Sequence, residues 1–180
     1  MHGIVFSELK KYVEERLGAD HWAAMLEAAG RPGKLYLVME TYPDQEALTL
    51  VAAAAQALPK RLPLLLEELG ERLAPRLMQV YGSSIDPEWT ALDLIEHTES
   101  VIHQVVRRRH QGAAPPTLSC RRESPSRAVI AYASDRKMCG LAKGIIRGVA
   151  RHYQERVLVR ETQCMLKGGV MCEIVVKRVE

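Results

Sequence analysis

Residues 101–136, VIHQVVRRRHQGAAPPTLSCRRESPSRAVIAYASDR, change character halfway. Up to His110 the apolar residues recur at helical spacing. The run Gln111-Gly112-Ala113-Ala114-Pro115-Pro116 cannot continue a helix, because proline lacks the backbone donor and forces the residue before it into extended backbone. Beyond the run, Thr117–Arg122 and Arg127–Ala133 read as two strands around the turn Glu123-Ser124-Pro125-Ser126. The chain therefore divides into a helical N-terminal lobe and a C-terminal lobe of antiparallel sheet with helices, an α+β fold.

Toward the N-terminus the pattern stays helical. Ser7 is placed to cap a segment carrying Leu9, Tyr12, Val13 and Leu17, which Gly18 ends. Asp20 would cap a second, with Trp22, Met25, Leu26 and Ala29 on one face, stopping at Gly30 before Pro32. Lys34–Glu40 alternates and reads as a short strand or an extended link. A third helix is expected over 44–58, closed by Pro59, and a fourth over 63–70. Pro75 predicts a break or kink in the apolar pattern running through Leu73, Leu77 and Val80. Asp86-Pro87 then signals a restart, and a long helix or helix pair runs to His110.

Toward the C-terminus, Ser134 or Asp135 is expected to cap a helix over 137–153. Gly140, Gly144 and Gly148 fall on one face of it, where another backbone or a flat ligand can approach closely. Arg156–Thr162 and Met171–Val179 form a last hairpin around Lys167-Gly168-Gly169. No internal repeat is present. The boundary falls near residue 62, giving lobes of 1–62 and 63–180 within one domain.

Composition excludes several classes. The chain has 180 residues, 47% hydrophobic and 26% charged, which is ordinary for a folded domain. Its net charge of +3 is too small to argue for nucleic acid. The longest wholly apolar run, Leu50–Ala55, is far short of a membrane span. The N-terminus lacks a cationic leader and a small-residue cleavage site, which points to the cytoplasm, where thiols stay reduced. No nucleophile elbow, P-loop or dinucleotide turn is present, and no catalytic acid–base pair stands out, so a binding module is favoured over an enzyme.

Three constellations carry chemistry. Cys139, Glu161, Cys164 and Cys172 sit on elements that a compact sheet brings together, and three thiolates with a carboxylate complete a tetrahedral zinc shell. The same residues also read as independent buried thiols, common in cores. Cys120 is left over as an unligated thiol. His103, in an apolar helical context with Glu99 and Arg107 one turn away, reads either as an axial metal ligand or as a half-buried structural histidine. His97 and His110 read as solvent-facing, and no spacing supplies partners for His2, His21 or His152. Tyr132, Ser134 and Arg136, two residues apart at a strand end, would present two hydroxyls and a guanidinium to carboxylates or phosphate, or else form an ordinary strand end.

Together these features resemble the haem-nitric oxide/oxygen binding (H-NOX) family, whose domain also occurs in soluble guanylate cyclase. The resemblance spans essentially the whole chain. It rests on MHGIVFSELKKYVEERLG, VIHQVV, the APPTL loop, YASDRKM and the C-terminal GVARHYQERVLVRETQCMLKGGVMCEIVV. It implies that His103 is the proximal ligand of a haem b iron, that Tyr132, Ser134 and Arg136 bind the haem propionates, and that Pro116 presses on and distorts the porphyrin. Ile4, Leu73, Leu77, Leu141 and Ile145, with the glycine-lined helix, are then expected walls of the haem pocket.

Oxygen-holding relatives place a tyrosine where this chain has Leu141, and the position of Leu73 can be polar in them. The resemblance therefore implies binding of nitric oxide, and of carbon monoxide, with exclusion of dioxygen. The cysteine pattern is similar to bacterial members and to vinyl-reductase-type ligand-sensing domains in which Cys, Glu, Cys and Cys hold zinc. The expected mechanism is weakening of the iron–His103 bond by nitric oxide, relaxation of the haem, and rotation of one lobe on the other. The output would be contact with a histidine kinase or an enzyme of cyclic-di-GMP turnover. Two alternatives are a haem-independent redox sensor at the zinc site and a vinyl-reductase-like sensor of a small organic molecule.

Overall fold

The computed structural model describes residues 1–110 and 112–179; Gln111, the first residue of the proline loop, lies outside the described residues, as does Glu180. Helix α1 spans Gly3–Leu17, so Ser7 lies within it. The cap is His2, whose Nδ1 accepts the Ile4 N–H at 3.2 Å. Gly18, at φ +91°, ends α1 as expected and also precedes α2 (Ala19–Ala28), so Asp20 sits in the first turn rather than at the cap. There it still faces the positive end of the helix dipole.

Residues 34–40 form no strand. Tyr36 stacks on Phe6 at 4.1 Å while Leu35, Leu37 and Met39 stay exposed, so the alternation is real although no ladder accompanies it. Helix α3 (Asp44–Ala57) follows. Phe6, Tyr12, Trp22 and Leu50 from α1–α3 share one core with Leu65, Leu69 and Leu73 of the next helix.

That helix, α4 (Leu62–Tyr81), runs through Pro75 without a break. Proline at 75 leaves the Glu71 carbonyl without its usual donor. The carbonyl lies against Gly148, where an added Cβ would come within 2.8 Å of it. Helix α7 (Cys139–His152) presents Gly140, Gly144 and Gly148 to α4, and Gly70 answers from the other side. The three glycines therefore serve a helix–helix crossing. They are not a wall for a flat ligand.

The expected restart at Asp86-Pro87 is a turn, with Asp86 Oδ1 accepting the Glu88 N–H at 2.9 Å. Helix α5 (Ala91–His97) begins instead at Thr90, which forms a capping box with Asp93. The rod continues through a π-helical turn, Thr98–His103, into α6 (Gln104–Arg109). Single π turns of this kind concentrate at functional positions.

Strands β1 (Thr117–Ser124), β2 (Arg127–Ala133), β3 (Arg156–Gln163) and β4 (Cys172–Val179) form an antiparallel sheet in the order β1-β2-β4-β3. Tyr132 pairs with Cys172 and Ile130 with Ile174. The inner face packs on α5 and α7 through Ile130, Ile174, Val176, Leu92 and Ile146. The expected Ser134 or Asp135 cap is absent: α7 starts after Met138, and Lys137, at φ +51°, makes the turn into it. No helix among the described residues is long and apolar enough to cross a membrane.

Candidate functional site

One large, mostly apolar cavity lies where the rod, α4, α7 and the sheet converge; its space, open mouth included, is about 1560 Å³. Ile4, Leu73, Leu77, Leu141 and Ile145 all line it, as do His103, Pro116, Tyr132 and Arg136. Its floor is the sheet face carrying Leu118, Ile130 and Ile174.

His103 Nδ1 lies 2.9 Å from Glu99 Oε2. The same carboxylate accepts from Arg107 at 2.5 Å and from the Leu118 N–H at 3.1 Å. Burial alone would push the Glu99 carboxyl up, but the bonds from Arg107, His103 and Leu118 hold it below the ordinary range. It is therefore an anion that fixes the imidazole by its Nδ1–H, leaving Nε2 with a free lone pair. Burial lowers the affinity of His103 for a second proton, with Glu99 opposing, so the neutral ring is the state at pH 7. The Pro116 carbonyl also accepts from the N–H of the same histidine.

Ser134 does not line the cavity. Its Oγ accepts the Arg136 N–H at 3.3 Å and hydrogen-bonds Tyr132, so it supports the other two from behind. The strand ends at Ala133 and the chain turns, so the spacing of two no longer sets a common face there. Arg136 is paired with Asp44 at 3.1 Å and with the Ala114 carbonyl. A guanidinium already held by a carboxylate and a carbonyl at the cavity mouth is preorganised for anionic oxygens. A neutral imidazole with an open Nε2, an apolar slot and a guanidinium at the mouth fit a haem.

The second constellation is equally compact. The ligand atoms of Cys139, Glu161, Cys164 and Cys172 all lie within 4.8 Å of one another. The period of two puts Glu161 of β3 and Cys172 of β4 on the inner face, while Cys139 opens α7 and Cys164 follows β3. Sulfur separations are 3.8 Å for Cys139–Cys164 and 3.9 Å for Cys164–Cys172. Zinc–sulfur bonds of about 2.3 Å at tetrahedral angles set sulfurs about 3.8 Å apart. Glu161 Oε1 is buried without a hydrogen-bond partner, while Lys143 lies 3.7 Å from Oε2. Burial, and then Cys172 and Glu161, push the Cys139 thiol up. Cys120 is half-buried and stands apart from this cluster.

Three residues were not legible as site residues. His2 and Tyr81 line the cavity, and His110, expected in solvent, is 6% exposed and contacts both. Reading α4 as ending before Pro75 hid Tyr81, and no sequence spacing joins positions 2 and 110. His97 is exposed as expected and stacks on Trp89 at 4.8 Å.

The fold is similar to solved structures of H-NOX proteins. An H-NOX protein from S. oneidensis in its Fe(II)NO state is 23% identical over 100% of both chains, with a TM-score of 0.93. The Fe(II)CO state of an H-NOX domain from Shewanella oneidensis gives 23% identity, 100% and 99% coverage and 0.88. The unliganded Fe(II) protein from K. algicida gives 19%, 100% and 97% coverage, and 0.84. No curated protein matches the chain. A family model described as Haem-NO-binding matches residues 2–161, and over that span, most of its length, the chain belongs to the Haem-NO-binding family.

Proposed function

We propose that this protein is a nitric oxide sensor that binds haem b through His103, excludes dioxygen and regulates a separate signalling enzyme. The observation that carries the reading is His103 itself: a neutral, cavity-lining imidazole whose Nδ1 is engaged by Glu99 and whose Nε2 is open. The haem, when bound, supplies a ferrous iron that takes up a diatomic gas. Arg136 and Tyr132 would meet the propionates, with Ser134 holding Tyr132, and Pro116 would press on the ring.

Selectivity follows from the apolar side chains of the cavity. Leu73, Leu77, Leu141 and Ile145 offer no hydrogen-bond donor, so a dioxygen bound beside them, which carries partial negative charge, would gain no hydrogen bond from these four. Nitric oxide needs no donor. Release of His103 would free the π turn and α6 to shift, carrying lobe 63–180 relative to lobe 1–62. Differential affinity of the gas for the two arrangements supplies the signal. The partner proposed from the family resemblance is a histidine kinase or an enzyme of cyclic-di-GMP turnover, in the cytoplasm.

The test is spectroscopic. Protein expressed with ample haem and reduced without air is expected to show a Soret band that shifts with nitric oxide and with carbon monoxide but forms no stable complex on exposure to air. Absence of the band, or a stable dioxygen complex, refutes the corresponding half of the reading.

A second reading has its own observation, the sulfur spacing of the cysteine cluster, which supports a zinc site held by Cys139, Glu161, Cys164 and Cys172. Metal analysis is expected to find about one zinc per chain, lost in Cys164→Ser while the Soret band remains. Full zinc retention in that variant would remove Cys164 from the ligand set.

A further inference from the structure

The haem reading leaves His2 and Tyr81, both lining the cavity, without a task. They meet His110, buried at the C-cap of α6. His2 Nε2 lies 3.3 Å from His110 Nε2, and the Tyr81 hydroxyl lies 3.2 Å from the first and 3.4 Å from the second. His2 Nδ1 already accepts the Ile4 N–H, so the neutral ring carries its proton on Nε2. One arrangement then satisfies the three facing atoms: His2 Nε2–H donates to the Tyr81 oxygen, and the Tyr81 O–H donates to His110 Nε2.

Each ring belongs to a different element. His2 caps α1, Tyr81 ends α4, and His110 ends the rod that carries His103. The rod's other end is pinned by the Thr90–Asp93 capping box and by Arg122, 2.9 Å from Asp93. We infer that His2, Tyr81 and His110 form a polar latch that couples the end of the His103 helix to the first turn of α1 and the last turn of α4. Directional hydrogen bonds fix register where an apolar contact would slide, and a buried group that loses its partner is penalised, so the trio holds or breaks as a unit. The latch's use in gas sensing rests on the function proposed above; its existence does not.

The latch requires a neutral His2. A second proton on His2 would have to sit on Nδ1, against the Ile4 N–H. Of the charges around the trio, the Met1 ammonium lies beside His2 and is itself paired with Asp44 at 2.7 Å, and Arg109 of α6 lies beside Tyr81, while α4 contributes Tyr81 itself. Burial, then His110 and Met1, lower His2 from 6.5 to about 4. The unfolded chain therefore takes up this proton first, so the latch's contribution to stability is complete above about pH 6.5 and is lost as pH falls toward 4.

Hydrogen–deuterium exchange on the full chain tests the coupling, comparing the wild type with His110→Phe and His110→Gln at pH 7. His110→Phe is expected to speed exchange of the Ile4 and Val5 amides about tenfold, the effect of losing one net hydrogen bond. His110→Gln, whose carbonyl still accepts from Tyr81, should retain most of the protection, and amides of β4 around Ile174 should not change in either. Lowering the pH toward 4 should shrink the difference between wild type and His110→Phe. Unchanged exchange at Ile4 and Val5, equal loss in both variants, or a uniform loss that includes β4 would overturn the latch. The Soret band of the same samples reports separately on the haem: a protein without haem that still shows the α1 effect keeps the latch and loses its gas-sensing use.

Discussion

His103→Ala protein is expected to fold and to lose its Soret band. The side chain is half-buried on the cavity wall, and its polar contacts are to Glu99 and the backbone of Pro116. Alanine keeps the helical backbone, so the cost in stability stays modest, while the cavity loses the one imidazole whose free nitrogen the proposed reading assigns to iron. Removing a supporting partner of a metal-ligating histidine already weakens metal binding by roughly 10–100-fold. Removing the ligand itself should weaken haem retention by at least about 100-fold, and nitric oxide should then produce no spectral shift. Glu99→Gln makes a graded control, since the amide keeps an acceptor for Nδ1–H without the charge. Full haem retention and an intact nitric oxide response in His103→Ala would place the ligand elsewhere.

Gly144→Ala is expected to be among the most destabilising single substitutions in the molecule. A Cβ at this position would lie 2.0 Å from the Glu67 carbonyl oxygen and 2.9 Å from the Gly70 Cα. Both neighbours are backbone, so relief requires α4 and α7 to separate along their whole crossing. Overpacking a close-packed interface costs about 1–3 kcal/mol even when side chains can move, and here they cannot absorb the clash. A loss of about 3 kcal/mol or more is expected, read as a fall in Tm of at least about 6 °C for a chain of this size. Gly82→Ala is the control: nothing lies within 4 Å of its added Cβ, and its φ of −53° suits any residue, so Tm should hardly move. Equal Tm values for the two variants would contradict the crossing.

How much of this was legible beforehand follows the range of each interaction. The double-proline loop, the β1–β2 and β3–β4 hairpins and the close-approach face of Gly140, Gly144 and Gly148 are set by neighbours a few residues apart. The α+β division and these elements stand in the structure as the patterns implied. The helix starts were less secure, because several residues in each region can cap. Ser7 and Asp20 lost to His2 and Gly18, and Asp86 lost to Thr90, where Asp93 completes the reciprocal pair.

By itself, then, the sequence determined the order of elements, the residue types available for a haem or a zinc ion, and the alternation that puts Glu161 and Cys172 on one sheet face. These are consequences of backbone geometry and side-chain period, which need no partner. Tertiary structure alone decided that α4 continues through Pro75, where the helix lies packed on α7 on either side of the proline. It alone turned Gly140, Gly144 and Gly148 toward α4, drew Ser134 away from the cavity, and buried His110 against His2 and Tyr81. Each of those outcomes depends on groups far apart in the chain, whose contacts are set only when the helices and the sheet close on one another.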